Sequence, residues 1–339
     1  MRKIVIMIIF VFALSACENQ ENVFPDFNFT AAYFPYQYPV RTLILGDYIY
    51  DNSNDNEHRF LISAGFGGVY ANTKDRVLNI QVDESLCKNV RFGSTSNAVQ
   101  PMPSNYYTLS SSDKLTIPAG KFNGSIAVQL SEEFFNDPSA IQLNYVIPLR
   151  IVGSNDVDSI LRGKPAVNNP DPRISSHWDV VPRDFTLFAV KFVNPYHGTY
   201  LHRGKSILKD AANNILETNI YRTRHIVDNE LWSLGTSGKN QVTVKGNIHS
   251  SSITGELNLV LDFADNGECT VKEGKDAVHA ITGTGKFVKD GDTWGDKKRN
   301  AIYLNYQFTD GVNTYSATDT LVIRDRGIVM EVFEPAVFD

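Results

Sequence analysis

The chain has 339 residues, with 38 Asp and Glu against 32 Lys and Arg, for a net charge of −6. That balance argues against nucleic acid as a partner, which needs a basic surface, and against docking on anionic lipid by charge alone. Hydrophobic residues make up 42% and charged residues 21%, so a packed globular protein long enough for two domains is expected.

At the N-terminus, Arg2 and Lys3 precede the unbroken apolar run Ile4–Ala13. A bilayer span needs about 20 apolar residues, so this run is too short to cross and matches the core of a secretory signal. Leu14-Ser15-Ala16-Cys17 then completes the pattern of a bacterial lipoprotein signal, with residues 1–17 as the signal segment and Cys17 as the lipid-attachment residue. Two or more acyl chains, palmitate among them, hold a soluble protein stably on a membrane. Residues 18–26 are polar and read as a tether. Glu18 and Glu21 behind the cysteine resemble the signals that send lipoproteins of gut Bacteroidetes to the cell exterior. The expected location is therefore the outer membrane, lipid-anchored and facing outward. The membrane would be touched through the lipid only.

The remainder reads as all-β, because period-two or wholly apolar runs dominate. Helical stretches are short: Ser131–Asn136, Asp156–Leu161 and Lys209–Ala212. In residues 27–153, strands are expected near Ala31–Phe34, Arg41–Tyr50, Arg59–Asn72, Val77–Val82, Tyr106–Leu109, Lys114–Ile117, Ser125–Leu130 and Gln142–Val152. Pro148 within the last of these predicts an edge strand or a bulge, since proline cannot donate to a ladder. Short strands separated by turn residues suit an Ig-like β-sandwich. Residues 154–184 are proline-rich and read as a linker.

Residues 185–339 resume with Phe185–Phe192 and continue through further strands ending with Ile328–Phe333. Asn266-Gly267, Asp290-Gly291, Asp310-Gly311 and Arg326-Gly327 fit tight hairpin turns. A meander without covering helices closes into an antiparallel β-barrel, lipocalin-like, with a second β-sandwich as the alternative. Cys87 and Cys269 fall in different domains and are expected as free thiols. No CxxC or Cys/His cluster is present, so neither a metal site nor a cofactor is assigned.

Tyr106-Tyr107-Thr108-Leu109, Leu115-Thr116-Ile117-Pro118-Ala119-Gly120 and Tyr145-Val146-Ile147-Pro148-Leu149-Arg150-Ile151 form a series. It resembles the N-terminal β-sandwich domain of unknown function found in many Bacteroidetes surface lipoproteins. Phe192 to Tyr200, with Arg203-Gly204-Lys205, is similar to the start of the C-terminal β domain of some relatives. The resemblance implies polysaccharide-utilisation systems, beside SusD-like glycan-binding partners, transporters or glycoside hydrolases.

Sugar binding uses aromatic faces with polar neighbours. Trp294 in a polar segment between strands, Trp178 in the linker, Trp232 in a short strand and Tyr196 near the start of the second domain are the candidate contacts. Asp and Asn side chains beside Trp294 would supply hydrogen bonds. Tyr196, His197 and Tyr200 also fit interface packing, Trp178 also fits a pin for the linker, and Trp232 also fits core packing. Asp51 to Glu57 is oxygen-rich but lacks the pattern of a calcium loop. Gly65-Phe66-Gly67-Gly68 fits a close strand approach rather than a phosphate loop. Gly-x-Ser-x-Gly and His-Glu-x-x-His are both missing from the sequence. The expected function is non-catalytic: binding an oligo- or polysaccharide, or supporting a glycan-uptake assembly. The alternatives are an accessory subunit contacting a SusD-like partner without sugar, and a barrel holding a small apolar ligand.

Overall fold

The structure, a computed structural model, describes residue 27 and residues 29–93 and 97–338. Cys17 and the tether lie outside the described residues. Among the described residues no helix is long and apolar enough to cross a membrane.

The first domain contains β1 (Ala31–Tyr33), β2 (Pro39–Ile44), β3 (Arg59–Gly67), β4 (Arg76–Val82), β5 (Val90–Phe92), β6 (Gln100–Pro101) and β7 (Tyr107–Leu109). It continues with β8 (Lys114–Ile117), β9 (Asn123–Leu130), β10 (Tyr145–Ser154), β11 (Ser159–Ile160), β12 (Lys164–Pro165), β13 (Trp178–Val180) and β14 (Phe185–Val193). The barrel strands are β15 (Gly198–Lys209), β16 (Ile215–Tyr221), β17 (Glu230–Gly238), β18 (Gln241–Asn247), β19 (Glu256–Phe263), β20 (Glu268–Glu273), β21 (Thr282–Trp294), β22 (Lys297–Thr309) and β23 (Thr314–Asp325). Two short strands, β24 (Glu331–Val332) and β25 (Pro335–Val337), end the chain.

One sheet of the sandwich has the order β11-β1-β3-β9-β7, and the other β24-β2-β14-β10-β4-β8, with β6 beside β10. In β9, Ile126, Val128 and Leu130 are buried and alternate with Ser125, Ala127 and Gln129 toward solvent, as a strand covered on one face requires. β10 and β14 are buried almost continuously because their sheet is covered on both faces. Leu149 and Phe192 join the core between the sheets, while Val146, Phe185 and Leu187 pack outward against Leu86, Phe92 and Phe333. Each such side chain stabilises the fold by about 1.5–3 kcal/mol through burial.

Four expectations need correction. Phe185–Val193 is not a barrel strand. It pairs antiparallel with β10 and parallel with β2, so the sandwich extends to Val193. Residues 154–184 are not a free linker either, since Ser159 and Ile160 pair with β1 and the β12–β13 hairpin follows. Asp156–Leu161 is accordingly bend and strand rather than helix. After β23 the chain leaves the barrel: β24 pairs with β2, and β25 with β5. The barrel proper runs from Gly198 to Asp325.

β10 is central, not an edge. Pro148 sits where its neighbour on one side changes from β6, opposite Tyr145 and Val146, to β4, opposite Leu149 onward. The Pro148 carbonyl accepts from the Asp83 amide (2.8 Å), so only the missing N–H faces that gap. The bulge lies further on, between Ile151 and Gly153.

Eight antiparallel strands close the barrel in the order β15-β17-β18-β19-β20-β21-β22-β23, and β23 returns to β15 from Thr199↔Asp325 to Lys209↔Thr314. β16 adds to the far half of β15 as an outer edge. Eight strands enclose a lumen that side chains can fill. Tyr200, Trp232, Tyr306 and Tyr315 with the surrounding Leu and Val residues do so, which leaves the lumen unlike a lipocalin ligand cavity. Cys87 and Cys269 are free and buried in separate domains, and burial pushes both thiols up to about 12.

Candidate functional site

Trp294 ends β21 at a two-residue turn. Gly295 and Asp296 both have positive φ, 59° and 57°, as a mirror-type hairpin turn demands. The turn therefore falls at 295–296. Asp290-Gly291 instead forms the irregularity between Val288 and Asp292 within β21. The Trp294 indole N–H donates to the Ile323 carbonyl (3.0 Å), and the Arg299 guanidinium lies over the ring, 4.7 Å from its centre. Both contacts fix the ring without burying it.

Arg203 on β15 and the segment Arg222 to Val227 after β16 face Trp294 and Gly295 across a cleft of about 550 Å³. No carboxylate lines it. Arg203 pairs with Asp292, whereas Arg222 and Arg224 are exposed and have no ion-pair partner among the described residues. Arginines, with Thr223 and His225, rather than the expected Asp and Asn, are the polar side chains that line the cleft beside Trp294. A groove of about 650 Å³ on the outside of β15, β17 and β18 carries His197 and Arg326 but no aromatic face.

Two of the expected contacts need correction. Trp232 is 1% exposed and stacks on His202 (3.8 Å) inside the barrel. Tyr196 is 9% exposed and stacks on Phe263 (3.7 Å). Both rings are spent on the barrel core and cannot offer a face to a sugar. Trp178 lies on β13, its N–H donating to the Asp171 carbonyl (2.7 Å) and its ring against Gly163, far in sequence from the arginine cleft. The oxygen-rich loop is structural, because its Asp55 is buried, accepts from the Ile44 amide (2.9 Å) and pairs with Arg41. Gly68, at φ 103°, lies against the Phe29 carbonyl, the close approach expected of that segment.

Behind Arg203, on the opposite side of β15, the lumen holds a polar cluster that sequence motifs did not reveal. His202 is fully buried, with Nδ1 3.1 Å from Glu230 Oε2 and Nε2 3.1 Å from Asp319 Oδ2. His249 Nε2 lies 3.1 Å from the same Glu230 oxygen. Asp319 accepts from the Tyr221 and Tyr306 hydroxyls, the latter at 2.8 Å. Asn247 donates to Glu230 Oε1 (2.9 Å). Burial alone would favour a neutral His202. The carboxylates of Asp319 and Glu230 outweigh it and hold the imidazole above the usual histidine value. His202, and more weakly His249, in turn brings Glu230 down to about 2. Among the described residues, His202, Glu230 and His249 are a set whose donor atoms are close enough to share a metal ion.

These residues are far apart in sequence, but a local signal exists. Inward rows read Tyr200-His202-Gly204-Ser206-Leu208 on β15, Glu230-Trp232-Leu234 on β17 and Tyr315-Ala317-Asp319-Leu321 on β23. In each, one histidine or carboxylate interrupts an otherwise core-facing row. Gly204 makes the cluster possible: a Cβ there would fall 2.2 Å from Asp319 Oδ1. Gly204→Ala should therefore destabilise the domain by about 1–3 kcal/mol through overpacking, read as a lowered urea midpoint. An unchanged midpoint would show that Asp319, the Thr318 carbonyl and the Tyr221 ring all give way without cost.

A family model for a domain of unknown function, DUF5627, matches residues 195–327, and a model for an N-terminal domain matches residues 25–158. A crystal structure of a Bacteroides ovatus protein of unknown function is 37% identical, covers 93% of this chain and 100% of its own, and superposes with a TM-score of 0.86. The chain belongs to that family. Its DUF5627 domain is the barrel, beginning just after β14 and ending just after β23. The expected pairing of an N-terminal sandwich with a C-terminal β domain of Bacteroidetes type is borne out. An auxiliary nutrient binding protein from Bacteroides thetaiotaomicron is 14% identical, covering 84% of this chain and 90% of its own, with a TM-score of 0.38, too loose to align a site. No curated protein matches the chain.

Proposed function

We propose that this protein is a non-catalytic, lipid-anchored lipoprotein that captures glycan at the outer surface of the outer membrane, in the cleft beside Trp294. The ligand class is an acidic oligo- or polysaccharide, bearing carboxylate or sulfate. The observation that carries this reading is the pairing of a fixed, partly open tryptophan with Arg222 and Arg224, which lack ion-pair partners among the described residues, in a chain of net charge −6. The indole face stacks on the C–H face of a sugar ring, and guanidinium groups donate to carboxylate or sulfate oxygens in bidentate geometry. The leader ending in Cys17 supports the anchored location, and a SusD-like protein or transporter would receive the captured glycan.

Affinity electrophoresis of the mature chain in gels containing polygalacturonate, chondroitin sulfate or neutral glucan tests this. The acidic gels should retard it and the neutral gel should not. Trp294→Ala should weaken binding about 10-fold or more, in line with the loss of one stacked ring at about 1–3 kcal/mol per platform. Replacing Arg222 and Arg224 by Ala should remove the acid preference and its salt sensitivity. A folded protein that migrates identically in every gel would rule the reading out.

One observation favours a second reading, an accessory subunit that docks a protein partner. Ile215, Leu216 and Ile220 are exposed on β16, whose outer edge is unpaired among the described residues. Pull-down of a membrane partner without glycan, lost on Ile220→Lys, would support that reading.

A further inference from the structure

We propose that His202, Glu230 and His249 form a site for one divalent transition-metal ion of the zinc class, with the fourth coordination position open to solvent. A tetrahedral ion about 2.0–2.1 Å from each of its nitrogen and oxygen ligands holds those atoms roughly 3.3 Å apart. Here Glu230 Oε2 is 3.1 Å from both His202 Nδ1 and His249 Nε2, and all three donors lie within 4.8 Å of one another. Two imidazoles with one carboxylate is the donor set that suits zinc and its neighbours in the first transition row.

Each ligand is also held from behind. Asp319 Oδ2 lies 3.1 Å from His202 Nε2, so a carboxylate backs the ring on the side away from the site. Trp232 stacks on the His202 ring at 3.8 Å, and Tyr221 on the His249 ring at 3.8 Å with only 13° between planes. Asn247 fixes the second oxygen of Glu230, so that Oε2 is turned inward. The side chains of Glu230 and His249 are 30% and 23% exposed, which gives an ion and its water a path from solvent. A packing cluster alone does not require three metal-type donors to converge on one point with their ring orientations fixed.

The test uses the full chain, stripped with chelator and then titrated with Zn²⁺ alone by calorimetry. Metal content is counted by mass spectrometry after dialysis. One zinc per chain should be retained, with micromolar or tighter affinity. His249→Ala and Glu230→Gln, both partly exposed positions, should keep the wild-type circular dichroism spectrum and bind at least 100-fold more weakly. Asn247→Ala, which acts only through Glu230, should cost about 10–100-fold. Wild-type protein that retains no zinc overturns the proposal, as does zinc retained equally by the His249 and Glu230 variants.

Discussion

Asp319→Ala should destabilise the barrel by about 3–5 kcal/mol, the cost of removing one member of a buried ion pair. Asp319 is 1% exposed and accepts from Tyr221 and Tyr306 while flanking the buried His202. The variant strands two hydroxyls in a medium where water cannot replace the lost acceptor, and removes the charge opposite His202. Urea denaturation in the presence of chelator reads the effect without any contribution from bound metal. The double variant Asp319→Ala with Tyr306→Phe should lose less than the sum of the singles, because Tyr306→Phe removes a group that Asp319→Ala leaves unpaired. Additive losses would show that the two residues act independently.

Arg326→Ala is expected to cost about 2–4 kcal/mol and to split unfolding into two transitions. Arg326 follows β23, is buried, and donates to the carbonyls of Leu45 (3.1 Å), Asp47 (3.0 Å) and Asn194 (2.7 Å). Two of those carbonyls belong to the sandwich side, and Asn194 begins the crossing into the barrel. Asn194 itself donates to Gly238 and Gln241 in the turn between β17 and β18. One guanidinium thus ties both domains to the crossing. Calorimetry of the wild type should show one cooperative transition and the variant two; a single transition in both would show that the seam is held by other contacts. Arg326→Lys should not restore coupling, since an ammonium cannot span three carbonyls with the planar geometry of arginine.

Most strands were legible because their side chains obey period two with one face buried, as in β9, or run apolar where both faces are covered, as in β10. The errors arose where pairing, not pattern, decides membership. Phe185–Val193 reads as a buried strand in any sheet, and only its hydrogen bonds to β10 and β2 assign it to the sandwich. Asp290-Gly291 carries a turn signal as strong as Gly295-Asp296, yet register with β22 places the reversal at the latter. Trp232 sits in an apolar strand and fills the lumen, whereas Trp294 sits among polar residues and borders a cleft, and local polarity separates the two.

An all-β chain of two domains, free thiols at Cys87 and Cys269, and Trp294 in a polar stretch of the second domain could all be read from residue pattern and spacing alone. Which residues meet depends on strand pairing. Closing β15 against β17 and β23 carries His202 to Glu230 and Asp319. The β18–β19 connection brings His249 to the same carboxylate. The end of β16 delivers Arg222 and Arg224 to Trp294. Those contacts span tens to more than a hundred residues, and strand register, which no local motif encodes, is the physical quantity that fixes them.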